Sequence, residues 1–112
     1  MTKYHSRWTQ CKQGHNHQSK REALRCNDLT LLEKAGKIRG LQQQPEFILQ
    51  PAFKLDNKTI RAITYTADFQ YWDGSHLVIE DCKGYKTQIY QLKRKILLFQ
   101  KRNDSDWEFR ET

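Results

Sequence analysis

The sequence predicts a small α+β domain with a mixed central sheet flanked by helices. Three observations carry this. The chain of 112 residues has room for one core. Helical and strand periodicities alternate along it. An Asp73-Gly74 pair lies between two runs rich in β-branched and aromatic residues, the pattern of a tight hairpin. Residues 1–18 read as a basic, polar lead-in, which leaves residues 19–112 for the domain. Ser19 with Glu22 three residues on forms a capping box that opens a helix over residues 20–35, and Gly36 stops it. Residues 37–44 read as a short strand or connector. Pro45 and Pro51 bracket a strand at residues 46–50, near a sheet edge. Asp56-Asn57 is a turn, and residues 60–72 form one long strand. Residues 75–83 are the return strand of the hairpin. Ile89, Leu92, Ile96 and Phe99 recur at helical spacing in a second helix over residues 87–101, and residues 107–109 add a last short strand.

Several function classes are excluded at this level. No run approaches the ~18 apolar residues of a membrane span, so no membrane partner is expected. Residues 1–10 contain no apolar stretch like that of a signal peptide, so the cytoplasm is the expected setting. Three cysteines, an odd number, read as free thiols and not as a disulfide framework. Cys11, His15, His17 and Cys26 could all ligate zinc, but Cys26 falls inside the first helix and the spacing matches no familiar zinc module.

The net charge of +7 is unevenly distributed. Residues 1–21 hold five basic side chains and no acid, and residues 83–102 hold seven and no acid, whereas residues 22–82 hold nine of the thirteen carboxylates. Two basic blocks flanking an acidic segment suit a polyanionic partner, with a merely solvated basic surface as the alternative. Lys3, Arg7, Lys12, Lys20 and Arg21 would form a basic arm. Lys86, Lys93, Arg94 and Lys95 would line the exposed side of the second helix.

With Asp73-Gly74 as the loop, Trp72 faces Ser75 and Asp68 faces Ile79. Asp81 is then the diagonal neighbour of Asp68 on the same face. Lys83, two residues beyond Asp81, shares that face, and Glu80 points to the other. Leu77 and Ile79 also lie on it, so a carboxylate there is costly unless a metal, a base or water offsets its charge. Two carboxylates and a lysine on one patch suit Mg²⁺-assisted phosphodiester hydrolysis. A surface-exposed cross-strand Asp/Lys cluster is the alternative.

Ala67-Asp68, followed after twelve residues by Asp81-Cys82-Lys83, resembles the signature of the PD-(D/E)XK nuclease superfamily. The strand–turn–strand–basic helix context is similar to that superfamily's αβββαβ, restriction-endonuclease-like core. The stretches 19–23, 44–53, 61–69 and 78–86 further resemble a family of short phage and prophage proteins placed in it. The resemblance implies a Mg²⁺-dependent endodeoxyribonuclease, with Mn²⁺ as a substitute and no organic cofactor. It implies action on DNA, branched or junction DNA above all, and a homodimer. It makes Asp68 and Asp81 metal-binding carboxylates, the Cys82 main-chain carbonyl a third ligand, Lys83 the catalytic lysine, and Glu22 the helix-one carboxylate that completes the site. Ala67 replaces the name-giving proline, and Asp81 stands where Glu is more frequent. Gln88 or Gln91 would be a polar site residue on the following helix, and Tyr85 or Tyr90 a stacking residue. Three other readings stand beside this one: a non-catalytic DNA-binding accessory protein that keeps the fold, a ribonuclease or RNA-binding protein, and a basic protein whose partner is another protein.

Overall fold

A computed structural model describes residues 9–10, 12, 16–17 and 19–112. Of the residues singled out above, Lys3, Arg7, Cys11 and His15 lie outside the described residues. The elements are β1 (Thr9–Gln10), β2 (Asn16–His17), α1 (Lys20–Lys34), β3 (Arg39–Gln43), β4 (Glu46–Gln50), β5 (Phe53–Leu55), β6 (Lys58–Ile60), β7 (Ile63–Thr66), β8 (Phe69–Asp73), β9 (His76–Asp81), α2 (Gln88–Lys101) and β10 (Trp107–Glu111). Both helices open as expected: the Ser19 hydroxyl accepts from the Glu22 amide and the Thr87 hydroxyl from the Tyr90 amide.

The main sheet has the order β10-β9-β8-β3. The β3–β8 and β8–β9 pairs are antiparallel, and β10 joins β9 in parallel, with Glu111 opposite Asp81. A parallel return needs a long crossover, and α2 supplies it. This is a small α+β domain with a mixed sheet. The helices cover opposite faces, because successive side chains on a strand alternate sides. Ala23, Cys26 and Leu29 of α1 pack on Phe69, Tyr71 and Val78. Tyr90 and Leu97 of α2 pack on Leu49, Tyr65, Ala67 and Ile79.

Two expectations need correction. First, residues 60–72 are not one strand. The chain breaks at Ala67-Asp68, opposite a second break at Gln44-Pro45, where Gln44 has φ 50°. The two breaks are laced together by Gln44 N–H to the Asp68 carbonyl (2.9 Å) and Ala67 N–H to the Pro45 carbonyl (3.0 Å). Pro45 has no N–H to continue the ladder, so both strands bend there. Strands β4 and β7 thereby leave the main sheet as a separate antiparallel pair beneath α2.

Second, the hairpin loop is Gly74-Ser75, since Asp73 pairs with His76 and Trp72 with Leu77. Gly74 alone takes a positive φ, of 69°, which is the Gly-first form of a two-residue turn; an Asp-Gly loop would force Asp73 into that region as well. The loop moves by one residue, so every partner moves by two. Faces are preserved; the ladder ends with Phe69 opposite Glu80, and the Asp68 amide bonds the same Glu80 carbonyl, so Asp68 sits in the bend beside the end of β9.

On the α1 face of β9, Glu80 is fully buried. Arg25 grips it through Nε to Oε2 (2.5 Å) and Nη2 to Oε1 (3.1 Å). The Tyr71 hydroxyl donates to Oε1 (2.5 Å) and the Thr112 hydroxyl to Oε2 (3.0 Å). Every lone pair facing the core is used, which is the condition for keeping a charge there. Arg25→Met should therefore cost about 3 kcal/mol, and for a domain of this size roughly a 10–20 °C fall in Tm. Adding Glu80→Gln should recover part of the loss. Thermal denaturation checks both, and an Arg25→Met protein that melts with the parent would refute this account of the network.

Candidate functional site

The two strand breaks and the end of β9 meet at one point. Asp68 lies in the bend between β7 and β8, and Asp81 is the last residue of β9. The Cys82 amide donates to Asp68 Oδ2 at 2.7 Å, and the Asp68 amide bonds the Glu80 carbonyl at 3.1 Å. These two bonds fix the Asp68 backbone and one of its carboxylate oxygens. Asp81 is fully buried, and neither of its carboxylate oxygens has a hydrogen-bond partner among the described residues. Lys83 Nζ lies 3.6 Å from Asp81 Oδ1, beyond hydrogen-bond reach but close enough to offset charge. Glu22, buried in the first turn of α1, reaches the same place, where its carboxylate pushes the Asp68 carboxyl pKa up. The cap and the carboxylate cluster are thus two uses of one residue: its backbone N–H is capped by Ser19 while its side chain faces Asp68.

The four expected site residues are brought together, and Glu80 points away from them, as expected from the alternation. Among the described residues, no three His, Cys, Asp or Glu side chains close into a group that could hold a metal ion. The donors nevertheless fit a hard cation in kind. All are oxygens, and among the described residues the two Asp81 oxygens accept no hydrogen bond. The Cys82 carbonyl accepts no hydrogen bond among the described residues.

Burial dominates the electrostatics. It pushes Asp81 up to about 6, partly offset by the Lys83 ammonium and reinforced by Glu22 and Glu111. It pushes Asp68 up to about 6 as well, with the Cys82 amide and Lys83 pulling down and Glu22 pushing up. Burial also drives the Cys82 thiol up to about 11, so it is not a nucleophile at neutral pH.

Two residues that received no weight, or little, in the sequence complete the surround. The Tyr90 ring lies under Lys83 Nζ at 4.8 Å from its centroid, and the Tyr90 hydroxyl donates to Glu111 Oε2 at 2.5 Å. Glu111 also pairs with Lys86 (3.1 Å) and Arg94 (3.5 Å). Two of the expected phosphate-contacting cations are thus held against a carboxylate, and Arg94 stacks over Phe109. A parallel strand returning beside β9 is what carries Glu111 there, and no spacing in the chain announces it. Lys93 is half-buried, while Lys95, Lys20 and Arg21 are exposed. The Arg21 Nη1 reaches the Thr112 carbonyl (3.4 Å), close to the site. Gln88, Gln91 and Tyr85 face solvent.

Taken together, these features define a small α+β domain whose mixed sheet ends in a buried, unsatisfied carboxylate backed by a lysine. The chain belongs to the family described as "Protein of unknown function (DUF1064)", which it matches over residues 1–111. No curated protein and no solved structure matches the chain.

The raised carboxyl groups make a signed stability prediction. A group whose folded pKa lies above its unfolded value of about 4 favours folding in its protonated form. That contribution is present below pH ~4 and is lost as pH rises to about 6. Asp81→Asn removes the ionisation, so at pH 7.5 it should stabilise the metal-free protein by about 1–3 kcal/mol. The gap between variant and parent should close as the pH falls toward 4. Urea melts at several pH values measure it; a gap that is absent, or that widens in acid, contradicts the burial of Asp81.

Proposed function

We propose that this domain is a metal-dependent endodeoxyribonuclease of the PD-(D/E)XK kind, hydrolysing DNA phosphodiester bonds in a structure-directed way. One observation carries the proposal: two buried Asp81 oxygens without a hydrogen bond among the described residues, the nearer one 3.6 Å from the Lys83 ammonium, beside the bend that holds Asp68. Desolvating a carboxylate without partners is expensive, so a fold that does it in a cluster of oxygen donors points to a ligand of opposite charge.

Asp68, Asp81, the Cys82 carbonyl and Glu22 would hold Mg²⁺ or Mn²⁺. When bound, the ion polarises a phosphate oxygen and acidifies a water. Lys83 presents its ammonium to the charge that develops on the phosphate. Tyr90 keeps that ammonium over its ring, and Glu111 holds the Tyr90 hydroxyl, so the lysine is aimed before substrate arrives. Cys82 N–H fixes which Asp68 oxygen faces inward. The homodimer and the cytoplasmic setting belong to this proposal. Among the described residues no helix is long and apolar enough to cross a membrane.

A second reading draws on the lack of a three-residue metal group among the described side chains. On that reading the domain binds DNA without cutting it and serves as an accessory protein. The two diverge in solution. On the nuclease reading, Mg²⁺ or Mn²⁺ raises the parent's Tm at pH 7.5 in a concentration-dependent way and does not raise that of Asp81→Asn. A labelled panel of four-way junction, flap, linear duplex and single strand is cut with metal and spared with EDTA. Asp81→Asn and Lys83→Ala abolish cutting, and only the former abolishes the metal shift. Glu22→Gln lowers activity more than Tm, because the Ser19 cap uses its backbone. Salt-sensitive binding with neither cutting nor a metal shift would establish the accessory reading instead.

A further inference from the structure

Strands β5 and β6 form a two-stranded antiparallel ribbon, with Phe53 opposite Ile60, Lys54 opposite Thr59 and Leu55 opposite Lys58. Asp56 and Asn57 turn it with φ 51° and 64°, the form that matches the twist of the strands. Every residue from 51 to 61 is exposed. Directly paired residues share a face, so one side of the ribbon carries Phe53, Leu55, Lys58 and Ile60, and the other carries Lys54 and Thr59. Arg61 follows immediately.

Two things about this ribbon call for an occupant. Phe53, Leu55 and Ile60 are 42%, 57% and 38% exposed, so one face of a projecting element is apolar and uncovered. Lys54, Lys58 and Arg61 form no ion pair among the described residues, and Asp56 is the only acid between residues 51 and 61. This contrasts with Lys86 and Arg94, whose charge is already engaged by Glu111. The ribbon's surplus charge complements a polyanion and opposes a second copy of a chain that carries +7.

Its position selects the polyanion. The ribbon extends the β4–β7 pair, whose other end is the bend that holds Asp68. Asp68 comes eight positions after Ile60, at most about 26 Å away at ~3.3 Å per residue. That is less than one turn of duplex, about 34 Å. A two-stranded ribbon fits a duplex groove, and apolar side chains inserted between base steps grip DNA that is already easy to unstack.

We propose that the β5–β6 ribbon is a DNA-engaging arm: Lys54, Lys58 and Arg61 lie on backbone phosphates while Phe53 and Leu55 wedge against an unstacked base step within one turn of the Asp68–Asp81 site. The arm rests on the reading of that site as acting on DNA, and it deepens it. It assigns the structural preference to locally unstacked duplex and places the discriminating residues away from the chemistry.

The test uses the full chain carrying Asp81→Asn to prevent cutting. The probes are a labelled linear duplex and the same duplex with a two-base bulge flanked by 2-aminopurine. In this background, Lys54→Gln/Lys58→Gln/Arg61→Gln should weaken binding to both probes about tenfold or more at 0.1 M salt. It should also reduce the slope of log K against log salt by about two to three. Phe53→Ser/Leu55→Ser should bind linear duplex like its parent but lose both the bulge preference and the 2-aminopurine brightening. Because the ribbon is exposed, both variants should keep the parent's circular dichroism and Tm. In the wild-type background, Lys54→Gln/Lys58→Gln/Arg61→Gln should raise KM on both probes, and Phe53→Ser/Leu55→Ser on the bulged probe alone.

Variants that bind like a parent that itself binds DNA would overturn the arm and leave the nuclease reading intact. A parent that binds but never cuts, with the variants weakened as described, would support the arm and remove the nuclease reading. A parent that binds neither probe overturns both. Unaltered DNA binding, combined with loss of binding to phosphatidylserine vesicles or of a sedimenting dimer in Phe53→Ser/Leu55→Ser, would overturn the arm and reassign the ribbon to a membrane surface or to self-association.

Discussion

Strand β9 buries two consecutive carboxylates on opposite sides of the sheet, and much of the molecule answers that demand. On the α1 side, Glu80 receives a guanidinium and two hydroxyls, drawn from α1, β8 and the residue after β10. On the α2 side, Asp81 receives one ammonium at a distance and, among the described residues, no hydrogen bond. The two groups are covalent neighbours with the same depth of burial and opposite degrees of satisfaction. Glu80 is therefore a clamp, and Asp81 a carboxylate held in reserve. Because the clamp ties α1, β8, β9 and the end of β10 together, it holds the peptide of Asp81 rigid while the side chain is left without a partner.

The charge of the second helix is organised by the same strand order. Glu111 comes alongside Asp81 because β10 lies parallel to β9, and it gathers Lys86, Arg94 and the Tyr90 hydroxyl. Part of a basic block that reads as phosphate-binding in the sequence is spent on placing Tyr90, whose ring supports Lys83. Carboxylates placed among cations in this way divide a basic surface into cations that shape a site and cations that form no ion pair among the described residues. Lys54, Lys58, Arg61, Lys95 and Lys20 belong to the second kind.

The bend that crosses both long strands links local chemistry to global layout. It arises from the missing N–H of Pro45 and the positive φ of Gln44. It turns the strand ends out of the main sheet to make a bed for α2, and it sets the half-buried carboxylate of Asp68 at the crease. Near the other end of β8, Gly40 takes φ 66° where Trp72 comes within 3.3 Å of the position of a Cβ, so β3 is pinned by a second irregularity. Sheets often re-aim side chains at such irregularities.

Much was legible in the chain itself. Helix ends, element order and the shared face of Asp68, Asp81 and Lys83 follow from short-range rules: caps, the period of two, and a tight turn whose exact centre does not affect which face a residue occupies. That is why a loop misplaced by one residue still put the acidic pair together. What the chain could not declare is anything set by contacts between distant segments. The pairing of β10 with β9, which delivers Glu111 and Thr112, is one such contact. The burial that raises the carboxyl groups of Asp68 and Asp81 is another. The bend that splits residues 60–72 depends on a proline in the opposing strand. Propensity and periodicity report what one segment prefers. Desolvation and cross-strand contact depend on which segments meet, and only the tertiary structure decides that.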